Sequence, residues 1–218
     1  MFTWKKESPL HENKIKTCTH HDFHGYRRCI ADQWLGSDRK KKAIEHFKLD
    51  PVETEERHHL TFDTYESGKI SLHEYLNRLV FYTKRKFSEE DFRKFMFSQS
   101  KPFPEMLGLI RGIKEKYGIK IAVVNNEGSE LNKYRINTFK LGEFVDFFIS
   151  SCIVHFRKPD ADIFKVALDI AHVVPEKVIY LEDRPMFVQV ADTLGIHGII
   201  HQDYSTTKQL LTNFGWVV

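Results

Sequence analysis

A chain of 218 residues and 25.8 kDa can bury a substantial core in one domain, or in one domain with a modest insertion. Its composition, 41% hydrophobic and 29% charged, is that of a soluble globular protein, and no apolar run approaches the length of a membrane span. Met1–Leu10 lacks the apolar segment of a signal peptide, and the three scattered cysteines (Cys18, Cys29 and Cys152) are too few for a secreted disulfide framework, so we expect a cytoplasmic protein.

The net charge of +3 is unevenly distributed along the chain. Residues 1–42 hold ten Lys/Arg and five Asp/Glu, whereas the rest of the chain has a slight acidic excess. A basic arm is one way to bind nucleic acid, but the frame shift described below accounts better for this composition. We therefore expect neither a nucleic-acid partner nor a membrane partner.

Before residue 118, the sequence predicts helices and no strand. Residues 1–40 show neither helical nor strand periodicity, and no apolar strand is visible in them. The residues that follow contain the helix-starting patterns Ser71–Glu74 and Ser88–Asp91 and a stop at Gly118. The predicted helices are Ala43–Leu49, Pro51–Tyr65, Tyr75–Thr83, one that starts at Ser88, and Pro104–Tyr117.

From residue 120 onward, short apolar strands alternate with helices. The predicted strands are Lys120–Asn125, Phe144–Ser150, Lys177–Leu181 and Gly198–His201. The predicted helices are Ser129–Phe139, Asp160–His172, Met186–Leu194 and Ser205–Phe214. This alternation predicts an α/β fold, a Rossmann-like parallel sheet with helices on both faces and right-handed crossovers, next to a small α-helical unit.

Polar residues follow two of the predicted strands. Asn125 and Asn126 end the first strand, Glu182 and Asp183 end the third, and Lys158 precedes a predicted helix. Ligands bind at this edge of a parallel sheet, where carboxylates suit Mg²⁺ and a lysine beside a helix N-terminus suits phosphate. Taken singly, the Glu-Asp pair is also typical of a helix cap, and the other two patterns are typical of turns. Their order and spacing together favour a Mg²⁺ and phosphate site.

The same motifs resemble those of the haloacid dehalogenase-like (HAD) hydrolase superfamily over residues 38–218. The end of IAVVNN is similar to its second motif, RKPDADIF around Lys158 to its third, and VIYLEDRP to its fourth. Helices between the first and second motifs are typical of subfamily I, which carries a helical cap. The resemblance implies an aberrant N-terminal segment at 1–40, a cap at 41–105 and a HAD-like α/β core at 106–218.

The resemblance also implies a function and roles for the motif residues. It implies a Mg²⁺-dependent phosphatase that acts on a small phosphorylated metabolite through an aspartyl-phosphate intermediate. Lys158 would neutralise the phosphate, and Asp183 would bind Mg²⁺ with Glu182 in support. Asn125 stands where the family usually has Ser or Thr and would donate its amide to the phosphoryl oxygens, with Asn126 counted beside it among the catalytic residues.

The family's first motif, an apolar strand that ends in the nucleophilic aspartate, is absent. Asp22 and Asp32 do not follow such a strand. Loss of a catalytic nucleophile lowers turnover on the order of a millionfold, so the alternative interpretation is an inactive HAD-like pseudoenzyme or binding module. A sheet without this strand would contain a gap, and we expect poor stability unless residues 1–40 supply a substitute.

A frame shift explains the absence. The codons permitted by residues 20–38, HHDFHGYRRCIADQWLGSD, also permit TIFMDIGGVLLTNGWDR when they are read one base later. This string is an apolar strand followed by a HAD-type first motif. The nucleophile's codon would straddle Gly25 and Tyr26, and the original frame would resume near Arg39–Lys42. Our hypothesis is that the residues before about 40 are a frame-shifted translation of the missing strand and motif.

Metal binding is a competing interpretation of the same segment. Its thiol and imidazole groups suit Zn²⁺, although their spacing matches no established zinc module. These candidate ligands are Cys18, His20, His21, His24 and Cys29. We expect the remaining conspicuous side chains to be structural, with His58 and His59 on a helix face and Phe144, Phe147 and Phe148 in the core.

Overall fold

The computed structural model describes residues 1–4 and 37–217. Within these ranges the chain forms one five-stranded sheet, ten α-helices and two short 3-10 helices. The strands are β1 (Phe2–Trp4), β2 (Lys120–Asn125), β3 (Phe147–Ser150), β4 (Val178–Glu182) and β5 (His197–Ile200). The helices are α1 (Ser37–Phe47), α2 (Pro51–Glu66), α3 (Leu72–Leu79), α4 (Glu89–Ser98), α5 (Pro104–Tyr117), α6 (Ser129–Thr138), α7 (Ser151–Val154), α8 (Asp162–Ala171), α9 (Pro185–Thr193) and α10 (Tyr204–Asn213), and the 3-10 helices are Leu141–Glu143 and Pro175–Lys177.

The sheet has the strand order β3-β2-β1-β4-β5. The pairs β2–β3 and β4–β5 are parallel, as predicted, and helices cover both faces, so the predicted α/β class is confirmed. The prediction that no strand precedes the helices was wrong, because Phe2–Trp4 form the central strand. This strand runs antiparallel to both of its neighbours, so the sheet is not wholly parallel.

The central strand closes the gap that the missing motif would leave. Thr3 is the register partner of Ile121 on one side and of Ile179 on the other. At the start of the chain the Met1 ammonium donates to the Leu181 carbonyl at 2.9 Å, and the Leu181 N–H donates to the Met1 carbonyl at 3.1 Å. Backbone N–H and C=O groups of β2 and β4 therefore form hydrogen bonds with β1, as buried backbone groups must.

The two faces of the sheet bury separate apolar layers. On one face, Ile121 and Leu181 pack with residues of α5 and α10, such as Ile113 and Leu211. On the other face, strand residues such as Val124 and Tyr180 pack with α8 and α9. The residues along β2 and β4 alternate between these layers, which is the period-two pattern of a strand that is buried on both sides.

Helices α1–α4, called the helical segment below, have an apolar core of their own. Both sequence-predicted helix starts are confirmed, because Ser71 and Ser88 each form a capping box. The core includes Tyr75 and Phe92, and it reaches the α/β part of the chain through Leu131 of α6. The boundary of a cap domain at residue 105 stays a prediction.

Several element boundaries differ from the predicted ones. The strand predicted over Phe144–Ser150 begins only at Phe147, because the chain before it turns through a 3-10 helix, and α7 was not predicted. Phe144, Phe147 and Phe148 do pack on the core, as predicted. His58 is buried against Tyr75 rather than exposed to a ligand.

Two further observations concern the described ranges only. None of the helices within residues 1–4 and 37–217 is both long and apolar enough to span a membrane. The proposed zinc ligands and the proposed frame-shifted codons fall in residues 5–36, with the end of the shifted string reaching residue 38. These predictions therefore lie almost wholly outside the described residues.

Candidate functional site

The predicted site residues gather at the carboxyl edge of β2 and β4, on either side of β1. Phe2 is the register partner of Ala122 in β2 and of Tyr180 in β4. Asn125 and Asp183 each lie three residues beyond these partners, so they stand level with each other. Two strand spacings separate them, which places their backbones roughly 10 Å apart.

Lys158 is the central cation of this edge. Its side chain is 4% exposed, and its ammonium donates to Glu182 Oε2 at 2.6 Å and to the Tyr180 hydroxyl at 3.0 Å. The Tyr180 hydroxyl in turn donates to Glu182 Oε2 at 2.7 Å. An ammonium has three N–H donors, and among the described residues the Glu182 and Tyr180 oxygens accept two of them, which leaves a third for an anion.

Glu182 is the counterion of Lys158, and both of its carboxylate oxygens accept hydrogen bonds; its predicted support of a metal ion stays a prediction. Its Oε1 accepts the backbone N–H groups of Asp183 and Arg184 at 3.1 and 3.2 Å, while Oε2 accepts from Lys158 and Tyr180. Burial opposes its ionisation, but the Lys158 ammonium and the accepted hydrogen bonds outweigh burial and hold the pKa of Glu182 well below its ordinary value. The Glu182 carboxylate is therefore ionised at neutral pH.

Asn126 holds the backbone on which Lys158 is mounted. Its Nδ2 donates to the Lys158 carbonyl at 2.7 Å, and its Oδ1 accepts the Lys158 N–H at 2.8 Å. Asn126 is 3% exposed. Both hydrogen-bonding ends of its amide thus fix the loop that contains Lys158, called the lysine loop below, against the end of β2. The structure therefore brings these two predicted residues together.

Asn125 is bonded away from Lys158. Its Nδ2 donates to Asn132 Oδ1 at 2.9 Å, and Asn132 Nδ2 donates to the Ser150 hydroxyl at 2.9 Å. Asn125 Oδ1 is buried and accepts no hydrogen bond from the described residues. The Asn125 side chain and the Lys158 side chain lie on opposite faces of the sheet. Both can therefore contact one ligand only if that ligand lies across the edge of the sheet, between the two faces.

Asp183 is the carboxylate that the arrangement offers to a metal ion. It follows β4 directly and is partly exposed. The residues in ranges 1–4 and 37–217 contain no cluster of three potential ligands. Mg²⁺ commonly binds through one or two carboxylates together with waters and substrate phosphate, and this donor set fits such an ion held by Asp183.

The helical segment contacts the lysine loop through buried charge. Arg157 donates to Glu66 Oε2 through Nε and Nη2 at 3.0 and 2.6 Å, and its Nη1 lies 2.6 Å from Asp63 Oδ1. Glu66 is 4% exposed. Its burial raises the pKa of Glu66 to about 7, despite the opposing charge of Arg157.

A close packing contact lies beside this ion pair. Gly128 is the N-cap residue of α6, and a Cβ at its position would lie 2.0 Å from Tyr65 Cζ. Tyr65 belongs to α2 and is 2% exposed. Only glycine permits this approach, which seats the end of α2 on the loop that follows Asn125 and Asn126.

Sequence reasoning missed several residues of the site. Tyr180 stands two residues before Glu182 on the same face of β4, and the strand period could have revealed it. Asn132 and Ser150 become neighbours of Asn125 only through the pairing of β2 with β3 and the placement of α6. Glu66 comes from a helix more than ninety residues away in sequence from Arg157. No local pattern indicates such contacts.

A nucleophilic carboxylate is missing from the described part of this edge. The central strand has the sequence Phe-Thr-Trp, and its carboxyl end at Trp4 faces the opposite edge because β1 is antiparallel. Asp22 and Asp32 lie outside the described residues. The described site therefore has a phosphate-type lysine and a metal-type carboxylate without the group that would attack phosphorus.

Comparison with known proteins identifies relatives of this chain. A family model described as haloacid dehalogenase-like hydrolase matches residues 37–200. A phosphorylated carbohydrates phosphatase of Thermotoga maritima is 29% identical over 124 residues, which are 52% of this chain and 57% of that protein. A phosphoglycolate phosphatase of Aquifex aeolicus is 29% identical over 141 residues, 62% of this chain and 61% of that protein. The aligned region thus spans less than two thirds of either relative.

Solved structures show the same fold. A HAD-family enzyme of Bacteroides thetaiotaomicron superposes with a TM-score of 0.67 at 19% identity, covering 78% of this chain and 87% of that one. A HAD-like hydrolase of Porphyromonas gingivalis superposes with a TM-score of 0.65 at 21% identity, covering 80% and 89%. The matched family model covers well over half of the sequence, and the chain therefore belongs to the haloacid dehalogenase-like hydrolase family.

Proposed function

We propose that this site is that of a Mg²⁺-dependent phosphohydrolase, which acts on a small phosphorylated metabolite through an aspartyl-phosphate intermediate. The observation that carries the proposal is the buried Lys158 ammonium. It is held in place by Glu182 and Tyr180 and stands beside Asp183 at the sheet edge. A desolvated, oriented cation of this kind stabilises the charge of a transferring phosphoryl group.

The proposed reaction divides one difficult displacement into two. An aspartate carboxylate attacks phosphorus, the P–O bond to the leaving alcohol breaks, and the alcohol takes up a proton. Water then attacks the aspartyl phosphate, which releases inorganic phosphate and regenerates the carboxylate. Lys158 neutralises the phosphoryl oxygens in both steps, Asn126 keeps the lysine loop in place, and Asn125 offers an amide N–H. Mg²⁺ held by Asp183 would supply further positive charge at the phosphate.

Named relatives support the substrate class. The two similar bacterial proteins are a phosphorylated carbohydrates phosphatase and a phosphoglycolate phosphatase. The Bacteroides enzyme has been solved with Mg²⁺ and inorganic phosphate, both as the wild-type protein and with one aspartate replaced by alanine. We infer that helices α1–α4 are a subfamily I cap over residues 41–105, that the core is residues 106–218, and that the enzyme works in the cytoplasm.

A second candidate function follows from the direction of β1. No carboxylate of β1 reaches the site, so the described residues have the features of a phosphate-binding protein without phosphatase activity. The frame-shift hypothesis reconciles the two candidates, because the shifted reading supplies an aspartate where the chain has Gly25 and Tyr26. Sequencing codons 15–45 of the source DNA on both strands is the first test, and a confirmed frame would favour the inactive binding protein.

The decisive assay compares two proteins, the chain as written and a chain with the shifted reading restored. We expect the restored chain to hydrolyse p-nitrophenyl phosphate with Mg²⁺ and to lose activity in EDTA. The chain as written should show none. Asp183→Asn should abolish the restored activity without unfolding the protein, whereas Asp192→Asn, an exposed carboxylate of α9, should leave it unchanged. A restored chain that folds but shows no Mg²⁺-dependent hydrolysis would contradict the proposal.

A further inference from the structure

Three polar side chains, two of them buried and the third, Asn125, half-buried, are linked by hydrogen bonds. Ser150 is the register partner of Asn125 in the neighbouring strand and is fully buried, and Asn132 of α6, 4% exposed, bridges the two. In the observed arrangement hydrogen bonds run from Asn125 Nδ2 to Asn132 Oδ1 and from Asn132 Nδ2 to the Ser150 oxygen, each 2.9 Å long. The order of donors therefore leads from Asn125 towards Ser150.

With the hydrogen bonds in this order, the Asn125 atom that is left for a phosphate is an oxygen, which cannot donate to it. Asn125 Oδ1 is buried and accepts no hydrogen bond within residues 1–4 and 37–217. A buried polar atom without a partner costs free energy and calls for an explanation, such as a ligand. An oxygen acceptor repels a phosphoryl oxygen, so the observed orientation does not suit the ligand that the proposed function places here.

Rotating both amides by half a turn reverses the order and keeps every bond. The Ser150 hydroxyl, which can donate as well as accept, then donates to Asn132 Oδ1. Asn132 Nδ2 donates to Asn125 Oδ1, which is no longer without a partner. Asn125 Nδ2 then takes the position that Oδ1 had, and its N–H groups become available to an anion. Hydrogen bonds linked in this way polarise one another in the same sense.

We propose that Asn132 and Ser150 are positioning residues, which set the amide of Asn125 as a donor to a phosphoryl oxygen when phosphate binds. This inference rests on the proposed function. It explains how an asparagine can serve where the family usually has a hydroxyl residue. It also assigns a role to two buried side chains that contact neither Lys158 nor Asp183 in the structure.

Asn132→Asp tests the inference, because a carboxylate only accepts and so locks Asn125 in its observed orientation. We expect this variant of the full chain to bind inorganic phosphate, in the presence of Mg²⁺, at least tenfold more weakly. The double variant Asn125→Ser/Asn132→Asp should bind no more than twofold more weakly than Asn125→Ser, because a serine hydroxyl donates without the relay. The exposed Asn137→Asp of the same helix controls for added charge.

Calorimetric titration measures the affinities, and side-chain amide signals in ¹⁵N NMR show whether Asn125 responds to phosphate. Ser150→Ala should weaken binding in the wild-type background only, and thermal unfolding checks that each variant is folded. An equal loss from Asn132→Asp in both backgrounds would overturn the relay and leave the phosphate site standing. If neither the wild-type chain nor Asn125→Ser binds phosphate, the proposed function fails and the relay with it.

Discussion

Removing the Lys158 ammonium should destabilise the protein strongly, because Glu182 would be left as an unpaired buried charge. The side chains of the pair are 4% and 9% exposed, and their charged atoms are 2.6 Å apart. Breaking such a pair from one side costs about 3–5 kcal/mol. For a chain of this length, a loss of about 4 kcal/mol lowers the melting temperature by roughly 8–16 °C.

The matched double variant separates charge from packing. In Lys158→Met/Glu182→Gln, the amide oxygen can still accept from the backbone and an amide N–H can donate to the Tyr180 oxygen, so no charge is left buried without a counterion. We expect this variant to recover at least about 2 kcal/mol relative to Lys158→Met alone. Neutralising the exposed pair Lys165–Asp162, whose atoms are 2.7 Å apart, should barely change the melting temperature.

The pH dependence gives a further check on this reasoning. The pKa of Glu182 is lowered in the folded protein, so its contribution to stability is present above the unfolded value of about 4.3 and is lost as pH falls. In Lys158→Met the unpaired carboxyl takes up a proton instead, and the damage should shrink towards acid pH. Circular dichroism melts between pH 4 and 8 measure it. Lys158→Met losing no more than 1 kcal/mol at pH 7 would refute the assignment of a buried ion pair.

Three more perturbations have calculable outcomes. Burial raises the pKa of Glu66 from 4.5 to about 7, so the free energy of unfolding should fall by about 3 kcal/mol as pH rises through that interval. Glu66→Gln should therefore flatten the plot of melting temperature against pH. Equal slopes for the variant and the wild-type chain would contradict this prediction. Gly128→Ala should lower the melting temperature sharply because its Cβ meets Tyr65 at 2.0 Å, whereas Gly108→Ala, in open space on α5, should stabilise by about 1 kcal/mol. Thr3→Pro removes a backbone donor from the central strand and should lower the free energy of unfolding in urea by about 1–3 kcal/mol. A neutral result there would mean that another segment fills this position.

The helices and most strands were predictable because their signals are local. Capping boxes at Ser71 and Ser88 and the left-handed residue Gly118 place helix ends within a few residues, and a continuous apolar run such as Lys120–Asn125 indicates a strand buried on both faces. The strand β1 was not predictable. Three residues carry no periodicity, and their strand conformation depends on hydrogen bonds to β2 and β4, which are more than 115 residues away in sequence.

The sequence predicts which residues lie at the candidate site, but it does not predict the hydrogen bonds between them. The rule that ligands bind at carboxyl ends of parallel strands brings Asn125, Lys158 and Asp183 together from sequence alone. It does not show that Glu182 is engaged on both oxygens, nor that Asn126 uses its whole amide on the lysine loop. Those facts depend on rotamers and on contacts between segments distant in sequence, and they add to Glu182 the part of the buried partner that orients the lysine.

The direction of β1 separates the stability of this fold from its chemistry. A strand in either direction can satisfy the backbone groups of β2 and β4, because a ladder can be parallel or antiparallel. Only a parallel strand ends at the edge where Asn125 and Asp183 lie, and only there can its last side chain reach a phosphate. An antiparallel β1 therefore supports a folded sheet, and with it the proposed phosphate site, without delivering a nucleophile. A frame shift over the first strand would then abolish turnover while sparing the fold, so folding of the chain as written is no evidence of its activity.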